Sequence, residues 1–205
     1  MSLSVSPSTK RANRGTGRDR LKGYTGCMPE ITPAAPALVR DFVNTLDIET
    51  GSDSIDSPGA LRRWIEQRLG TRLRSLDEDA WRTMVETRES LRELLASHSG
   101  AEVNRNALRQ LNRAGERAEI RPRWDDAGKA TFEPHDAGPS GALGRIFSAV
   151  VAAQSDGTWD RLKVCPAEDC RYAFYDHSKN RSGRWCSMRV CGNRAKTRTY
   201  RQRHG

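Results

Sequence analysis

The chain has 205 residues, a hydrophobic fraction of 36%, a formal net charge of +9 and a mean hydropathy of -0.78. No stretch approaches the ~20 consecutive apolar residues of a membrane-spanning helix, so we expect no membrane association. No apolar run follows the N-terminal basic residues either, which predicts a cytoplasmic protein without a secretory signal. The length accommodates one domain of ordinary size and a small appendage.

Residues 1–30 are rich in Ser, Arg, Gly, Thr and Pro and contain almost no large apolar side chains. A segment of this composition cannot bury enough surface to offset the entropy of ordering, so we predict a disordered basic tail. The tail is either dispensable or a weak, non-specific phosphate binder. Cys27, which stands alone within it, is predicted to be a plain free thiol.

Residues 31–160 predict one mainly helical domain, because apolar residues recur in this segment at helical spacing. A first helix is expected from about Pro36. Ser57 and Pro58 have the residue types of an N-cap and a first helical residue, and they predict the start of a second helix. The capping-box spacing of residues 75–78 predicts the start of a long third helix.

A polar pair, Asn44 and Thr45, interrupts the apolar first helix. Polar side chains in such a place are candidates for binding a small-molecule effector. The alternative is local bonding from the side chains to the backbone near the helix end.

The helical periodicity breaks between residues 119 and 133. Two short segments flank Asp125-Asp126-Ala127-Gly128, which predicts a small β-hairpin and assigns the two aspartates to a turn. Gly138-Pro139 then begins a strongly apolar helix. Core or hairpin packing is the simplest role for the tryptophans of this domain, Trp64, Trp81 and Trp124.

Four cysteines near the C-terminus fall into two matched pairs, each enclosing four residues, with fifteen residues between the pairs. Two such clips supply the four thiolates of a tetrahedral zinc site, and a reducing compartment favours metal binding over disulfides. We predict one structural Zn²⁺ bound by Cys165, Cys170, Cys186 and Cys191. His177 is an alternative ligand, and a disulfide is the alternative chemistry.

The predicted order of elements within 161–205 is that of a treble-clef-like zinc finger. A short helix around 159–164 leads into the first clip, and the alternation of 171–176 predicts a strand. Residues 184–186 predict the returning strand, and a helix follows with Cys191 in its opening turn. Zinc supplies the core that so short a segment cannot make alone.

The predicted fold is therefore mainly α with a small β-hairpin, as a helical N-terminal domain followed by the zinc finger. The boundary lies between residues 160 and 161, and we expect the segment 31–160 to fold without the finger. The two parts differ in charge. Residues 161–205 contain 12 basic and 3 acidic residues, whereas residues 1–160 contain 23 of each.

This concentration of positive charge predicts a polyanionic partner for the finger. Arginine offers planar, bidentate donors that suit phosphate and guanine. The candidate contacts are Arg181, Arg184, Arg194, Lys196, Arg198, Arg201 and Arg203. Arg194, Arg198 and Arg201 share one helix face, and the other helical bases are expected on an adjacent stripe. The alternatives are that Arg194 braces the zinc site and that the rest form a solvated face.

Trp185-Cys186-Ser187-Met188 and Cys191-Gly192-Asn193-Arg194, with the first cysteine clip, resemble the signature of CGNR zinc finger proteins. Upstream, Asp41-Phe42-Val43-Asn44-Thr45-Leu46-Asp47 resembles the opening of the helical domain in such proteins, often described as a stress-induced transcription regulator domain. The resemblance implies a bacterial transcriptional regulator that binds double-stranded DNA through its zinc module. The helical domain would then sense an effector or form a homodimer.

A zinc-dependent protein-interaction module that docks on an acidic partner is the alternative function. An enzyme is a third class, but catalytic zinc sites usually keep an open position beside three protein ligands, and four thiolates close the shell. No arrangement of nucleophile and base accompanies the cysteines. We therefore predict that the protein is not an enzyme and has no catalytic residues.

Overall fold

The computed structural model describes residues 32–135 and 137–204, and residues 32–205 form one compact unit. The predicted tail over 1–30, with Cys27, lies outside the described residues. The elements in chain order are α1 (Ala34–Val43), β1 (Leu46–Asp47), β2 (Ser52–Asp53), α2 (Pro58–Leu69), α3 (Glu78–Ser97), α4 (Arg105–Arg117), β3 (Ile120–Trp124), β4 (Ala130–Pro134), α5 (Pro139–Ser155), β5 (Leu162–Val164), β6 (Ala173–Tyr175) and α6 (Asn193–His204). Within these described residues, the strands form three two-stranded antiparallel sheets, in which β1 pairs with β2, β3 with β4 and β5 with β6. The predicted fold class is confirmed.

The start of α2 follows its sequence signals. Ser57 is the N-cap, and its Oγ accepts a hydrogen bond from the backbone N–H of Ala60 at 3.3 Å. Pro58 is the first helical residue, where its missing N–H has no cost. Gly70 ends the helix at φ +64°, a left-handed conformation that glycine adopts without strain.

The predicted capping box at the start of α3 is wrong. The N-cap is Asp77, whose Oδ1 accepts from the backbone N–H of Ala80 at 2.8 Å. Ser75 therefore lies outside the helix. A carboxylate satisfies the same free N–H groups as serine and also interacts favourably with the positive end of the helix, so Asp77 is the stronger cap.

The main core lies between α1, α3 and α5 and extends into the predicted finger. Phe42, Leu95 and Ile146 belong to one buried cluster together with Leu162 of β5 and Ala173 of β6. Full burial of an apolar side chain of leucine size contributes roughly 1.5–3 kcal/mol. Separate folding of 31–160 stays a prediction, and the shared core counts against it.

The predicted β-hairpin consists of β3 and β4, with Ile120 opposite Pro134 and Trp124 opposite Ala130. Asp125 fixes its turn by accepting from the backbone N–H of Lys129 at 2.9 Å. The predicted packing of Trp124 is wrong, since this side chain is 62% exposed.

The other two tryptophans pack against the main core, as predicted for Trp64 and Trp81. The indole N–H of Trp81 also donates to the carbonyl of Ile55 at 2.7 Å. None of the helices in the described ranges combines the length and the apolar character needed to cross a membrane.

Candidate metal centre and nucleic-acid interface

The first cysteine clip is the loop between β5 and β6. Val164 pairs with Ala173, and the backbone N–H of Cys165 continues the ladder by donating to the carbonyl of Tyr172 at 2.9 Å. Within the loop, the N–H of Cys170 donates to Ala167 at 3.0 Å. These bonds form the tight turn that brings the two sulfurs together.

The predicted returning strand at 184–186 is wrong, and the predicted short helix around 159–164 is confirmed only over its first three residues. A 3-10 turn at Trp159–Arg161 leads into β5, which is the partner of β6. All three residues of β5 are buried, because Leu162 and Val164 enter the main core. Because of this burial, residues 162–164 pair with β6 in place of the predicted residues 184–186.

The four cysteine sulfurs converge on one point. Their Sγ atoms all lie within 4.8 Å of one another, and the Sγ of Cys186 is 3.6 Å from those of Cys170 and Cys191. Four sulfurs at ~2.3 Å from a tetrahedral zinc ion are about 3.8 Å apart, so the spacing fits zinc. No disulfide joins these four cysteines in this structure, and their sulfur spacing suits a metal ion instead.

The thiols of this cluster perturb one another strongly. Hydrogen bonds from Cys170 and Cys186 lower the pKa of Cys165 to about 2. A hydrogen bond with Cys165 raises the pKa of Cys170 to about 12. A separate hydrogen bond with Cys165 raises the pKa of Cys186. Four thiolates so close together repel one another unless a cation lies between them, and a bound divalent metal keeps such thiols deprotonated.

A buried ion pair holds the loop between the two clips. The Nζ of Lys163 lies 2.7 Å from the Oδ2 of Asp176, and both side chains are almost fully buried. Asp176 also accepts from the backbone N–H groups of Ser178 and Gly183. Burial raises the pKa of Asp176, but the bonds from Lys163, Ser178 and Gly183 outweigh it and lower the pKa to about 2.

Gly183 has no room for a side chain, because a Cβ there would lie 2.5 Å from the Oδ1 of Asp176. The glycine therefore permits the close approach that completes the ion-pair cage. His177, the alternative metal ligand, is outside the cysteine cluster, and its ring packs edge-on against Tyr175.

The second clip leads into the last helix through a π-helical turn, Met188–Gly192, which contains Cys191. The side chain of Asn193 donates to the carbonyl of Arg189 at 3.1 Å, so it caps this turn instead of bonding a thiolate. The close neighbour of Gly192 is the side chain of Met188.

Arg194 braces the cysteine site, as the alternative interpretation holds. Its guanidinium donates to Asp169 in the first clip at 3.1 Å and to Glu49, between β1 and β2, at 3.2 Å. The side chain thus ties the start of α6 to both segments. A contact between Arg194 and nucleic acid stays a prediction.

The two turn arginines are placed differently. The side chain of Arg181 lies 3.5 Å from the carboxylate of Asp160, and its backbone has φ +53°. Arg184 lies over the ring of Trp185, with 5.3 Å from its guanidinium carbon to the ring centroid. Trp185 is half-buried and packs against the cysteine cluster.

No residue of α6 is buried, and the helix contains five basic and no acidic residues. Within the described part of the chain, no ion pair involves the cations Lys196, Arg198, Arg201 and Arg203. Arg198 and Arg201 line one side of the helix, whereas Lys196 and Arg203 line another. The predicted adjacent stripe is therefore wrong, and the cations flank the helix.

Asn44 and Thr45 follow the end of α1. Asn44 donates to the carbonyl of Ala173 and accepts from its N–H, each at 2.8 Å, so it joins α1 to β6. The hydroxyl of Thr45 donates to the carbonyl of Phe42 at 2.8 Å, which is the local bonding given as the alternative. Effector binding by this pair stays a prediction.

The sequence interpretation missed two buried arginines of α3, of which Arg92 contacts the finger and Arg88 pairs within the helical domain. Arg92 donates to the carbonyl of Arg171 at 2.9 Å and to that of Val43, while Arg88 lies 2.7 Å from Asp53. The signal was present in the sequence. Arg88 occupies the position between Met84 and Leu91 in the apolar stripe of the helix, where a charge needs a buried partner.

The fold and the cysteine cluster define a helical domain with a zinc-finger-type module at its C-terminal end. A family model described as "Putative stress-induced transcription regulator" (ABATE) matches residues 36–157, and a model described as CGNR zinc finger matches residues 161–204. The chain belongs to the ABATE family and contains a CGNR zinc finger. Both resemblances inferred from the sequence are thereby confirmed, and the two families suggest a zinc-binding transcription regulator. No curated protein matches the chain.

Proposed function

We propose that the protein is a bacterial transcription regulator of the reducing cytoplasm that binds double-stranded DNA through α6. One observation carries the proposal: no residue of α6 is buried, the helix has five basic and no acidic residues, and four of the basic residues have no ion pair in the described part of the chain. Cations that the protein leaves unneutralised attract the phosphates of DNA and displace their counterions.

The dimensions of α6 suit a DNA groove. Twelve helical residues span about 18 Å, and a major groove of ~12 Å width admits an α-helix. The helix begins directly after Cys191, so the cysteine site sets its position. Arg181 and Arg184 add cations on the preceding loop, where they would contact phosphate.

In this proposal one structural zinc ion is bound by Cys165, Cys170, Cys186 and Cys191. Zinc supplies a fixed tetrahedral centre that holds the two clips together. Four thiolates leave no open position on the metal for substrate or water, which supports a regulator without catalytic activity. The effector and the homodimer are proposals for the helical domain.

A protein-interaction module is the second candidate function. Met188 and Val190, beside the start of α6, are 53% and 48% exposed. Apolar side chains next to a basic helix suit an acidic protein partner with an apolar centre.

The decisive experiment titrates the full-length, zinc-loaded protein into labelled duplex DNA at several salt concentrations. We expect the logarithm of the affinity to fall with the logarithm of salt concentration, by about 0.9 for each phosphate contact. Polyglutamate is the matched acidic probe without bases. Binding of polyglutamate as tight as that of DNA, with no preference for duplex, would support the second function and contradict the first.

A further inference from the structure

A line of uncharged polar side chains runs along α6. The residues are spaced i, i+4, i+7 and i+11, so they share one helix face, and all are exposed. This outer ridge consists of Asn193, Thr197, Tyr200 and His204. Ala195, across the helix, is half-buried, whereas Tyr200 is 64% exposed. The outer ridge therefore faces away from the finger.

Three side chains of the outer ridge are fixed by bonds to the backbone one turn earlier. Asn193 donates to the carbonyl of Arg189 at 3.1 Å, and the hydroxyl of Thr197 donates to that of Asn193 at 3.0 Å. The Nδ1 of His204 lies 3.0 Å from the carbonyl oxygen of Tyr200, and the two rings stack at 4.3 Å. Side chains that are ordered beforehand lose less entropy on binding.

The polar atoms left over on the ridge are mixed donors and acceptors. A carbonyl only accepts, so the Nδ1 of His204 is the donor of this bond and Nε2 is left over. The hydroxyl of Tyr200 donates and accepts, and Thr197 adds a methyl group. Base edges in the major groove present donors, acceptors and the thymine methyl, whereas phosphates present acceptors alone. The ridge therefore matches bases better than phosphates.

Cations stand on both sides of the outer ridge. At about 100° per residue, Arg201 lies about 70° from the centre of the ridge in one direction. Lys196 and Arg203 lie about 70–90° from it in the other, and the two sides line different concave surfaces. A helix in a major groove has a phosphate backbone on each side, which this arrangement fits.

We propose that α6 enters the major groove with the outer ridge against the base edges and its flanking cations against the two phosphate backbones. Asn193, Thr197, Tyr200 and His204 then determine which sequence is bound, while Lys196, Arg201 and Arg203 supply affinity. The inference rests on the proposed DNA-binding function and adds to it the face that reads sequence.

The test uses full-length, zinc-loaded protein, a duplex selected from a random pool and a scrambled duplex of equal length. Thr197→Val/Tyr200→Phe removes two hydroxyls without changing the charge. We expect its preference for the selected duplex to fall about tenfold, with an unchanged salt slope. Lys196→Ala should lower the magnitude of the salt slope by about 1 and keep the preference for the selected duplex.

Thr199→Val is the matched control, since Thr199 makes the same kind of bond, to the carbonyl of Ala195 at 3.1 Å, about 130° around the helix from the ridge. This variant should change neither the preference for the selected duplex nor the salt slope. Equal zinc content and melting temperature establish that each variant is folded.

Full preference in the double variant would overturn the inference, as would an equal loss of preference in Thr199→Val. So would a wild-type protein that binds every duplex equally, although that result leaves the proposed DNA-binding function standing. Absence of duplex binding at low salt would contradict both this inference and the proposed DNA-binding function.

Discussion

Arginines occupy opposite environments in α3 and α6. Arg88 and Arg92 are 2% and 1% exposed, and carboxylates or backbone carbonyls surround them. Burial lowers the pKa of Arg92, and Glu89 opposes that effect. Arg201 and Arg203 are exposed, without an ion pair in the described residues. The same residue type thus makes buried contacts in α3, where Arg92 joins the helical domain to the finger, and is left available for a partner in α6.

This comparison teaches that net charge alone does not locate a binding surface. The finger carries the whole formal charge, yet Lys163 and Arg194 within it are committed to carboxylates. The cations that remain available are those whose neighbours are neutral or also basic. Their position on α6 is why the proposed function assigns DNA binding to this helix.

Loss of the metal ligands should have the largest effect. Cys186→Ser/Cys191→Ser should remove about one zinc per chain, measured by elemental analysis. Because the loop of the first clip joins strands of the main core, the variant should also melt earlier. Structural zinc contributes about 10–16 kcal/mol in isolated fingers, more than any single interaction considered below.

Cys27→Ser makes the same chemical change outside the described residues and should keep its zinc. Full zinc content in the double variant would contradict the proposed cysteine site.

The second prediction separates the two groups of arginines. Arg92→Met leaves the carbonyls of Arg171 and Val43 without their donor and removes one of the two arginines paired with Glu89. We expect a loss of about 3–5 kcal/mol in the free energy of unfolding, measured by denaturant titration. Arg198→Met should change it by no more than about 0.5 kcal/mol. Equal losses in the two variants would remove the distinction between α3 and α6.

The smallest expected effect concerns Arg194, the one basic residue of α6 that is tied to carboxylates among the described residues. Glu49→Gln removes the carboxylate that lies 3.2 Å from the guanidinium of Arg194 and also removes a negative charge near α6, the helix proposed to bind DNA. Simple electrostatics predicts tighter DNA binding. We expect instead a loss of about threefold, because exposed ion pairs contribute up to about 1 kcal/mol and this one orients α6.

Glu168→Gln is the control, since Glu168 neighbours Asp169 and forms no ion pair within the described ranges. It should leave affinity unchanged or raise it slightly. Equal increases in both variants would show that the contact of Glu49 does not position the helix.

Local signals in the sequence were sufficient for part of this structure. The cap and proline of α2, the turn of the β3–β4 hairpin and the convergence of the four cysteines all follow from residue types at short spacing. These features are stabilised mainly by contacts within a few residues, or by the geometry that one metal ion requires.

The partner of β6 could not be predicted in this way. A strand at 162–164 depends on burial of Leu162 and Val164 against α3, more than 60 residues earlier in the chain. The two hydrogen bonds between Asn44 and Ala173 join residues 129 positions apart, and they could not be predicted for the same reason. Contacts of this range have no signature in local periodicity.

The central claim is that α6 is available for DNA while α3 holds the helical domain and the finger together. Its most direct test is the salt dependence of duplex binding by an Arg201→Ala/Arg203→Ala variant whose zinc content and melting temperature match the wild type. The account predicts that the slope falls in magnitude by roughly 2, because each of the two arginines would otherwise neutralise one phosphate. An unchanged affinity and slope in this folded variant would contradict it and assign the basic helix to solvent or to a protein partner.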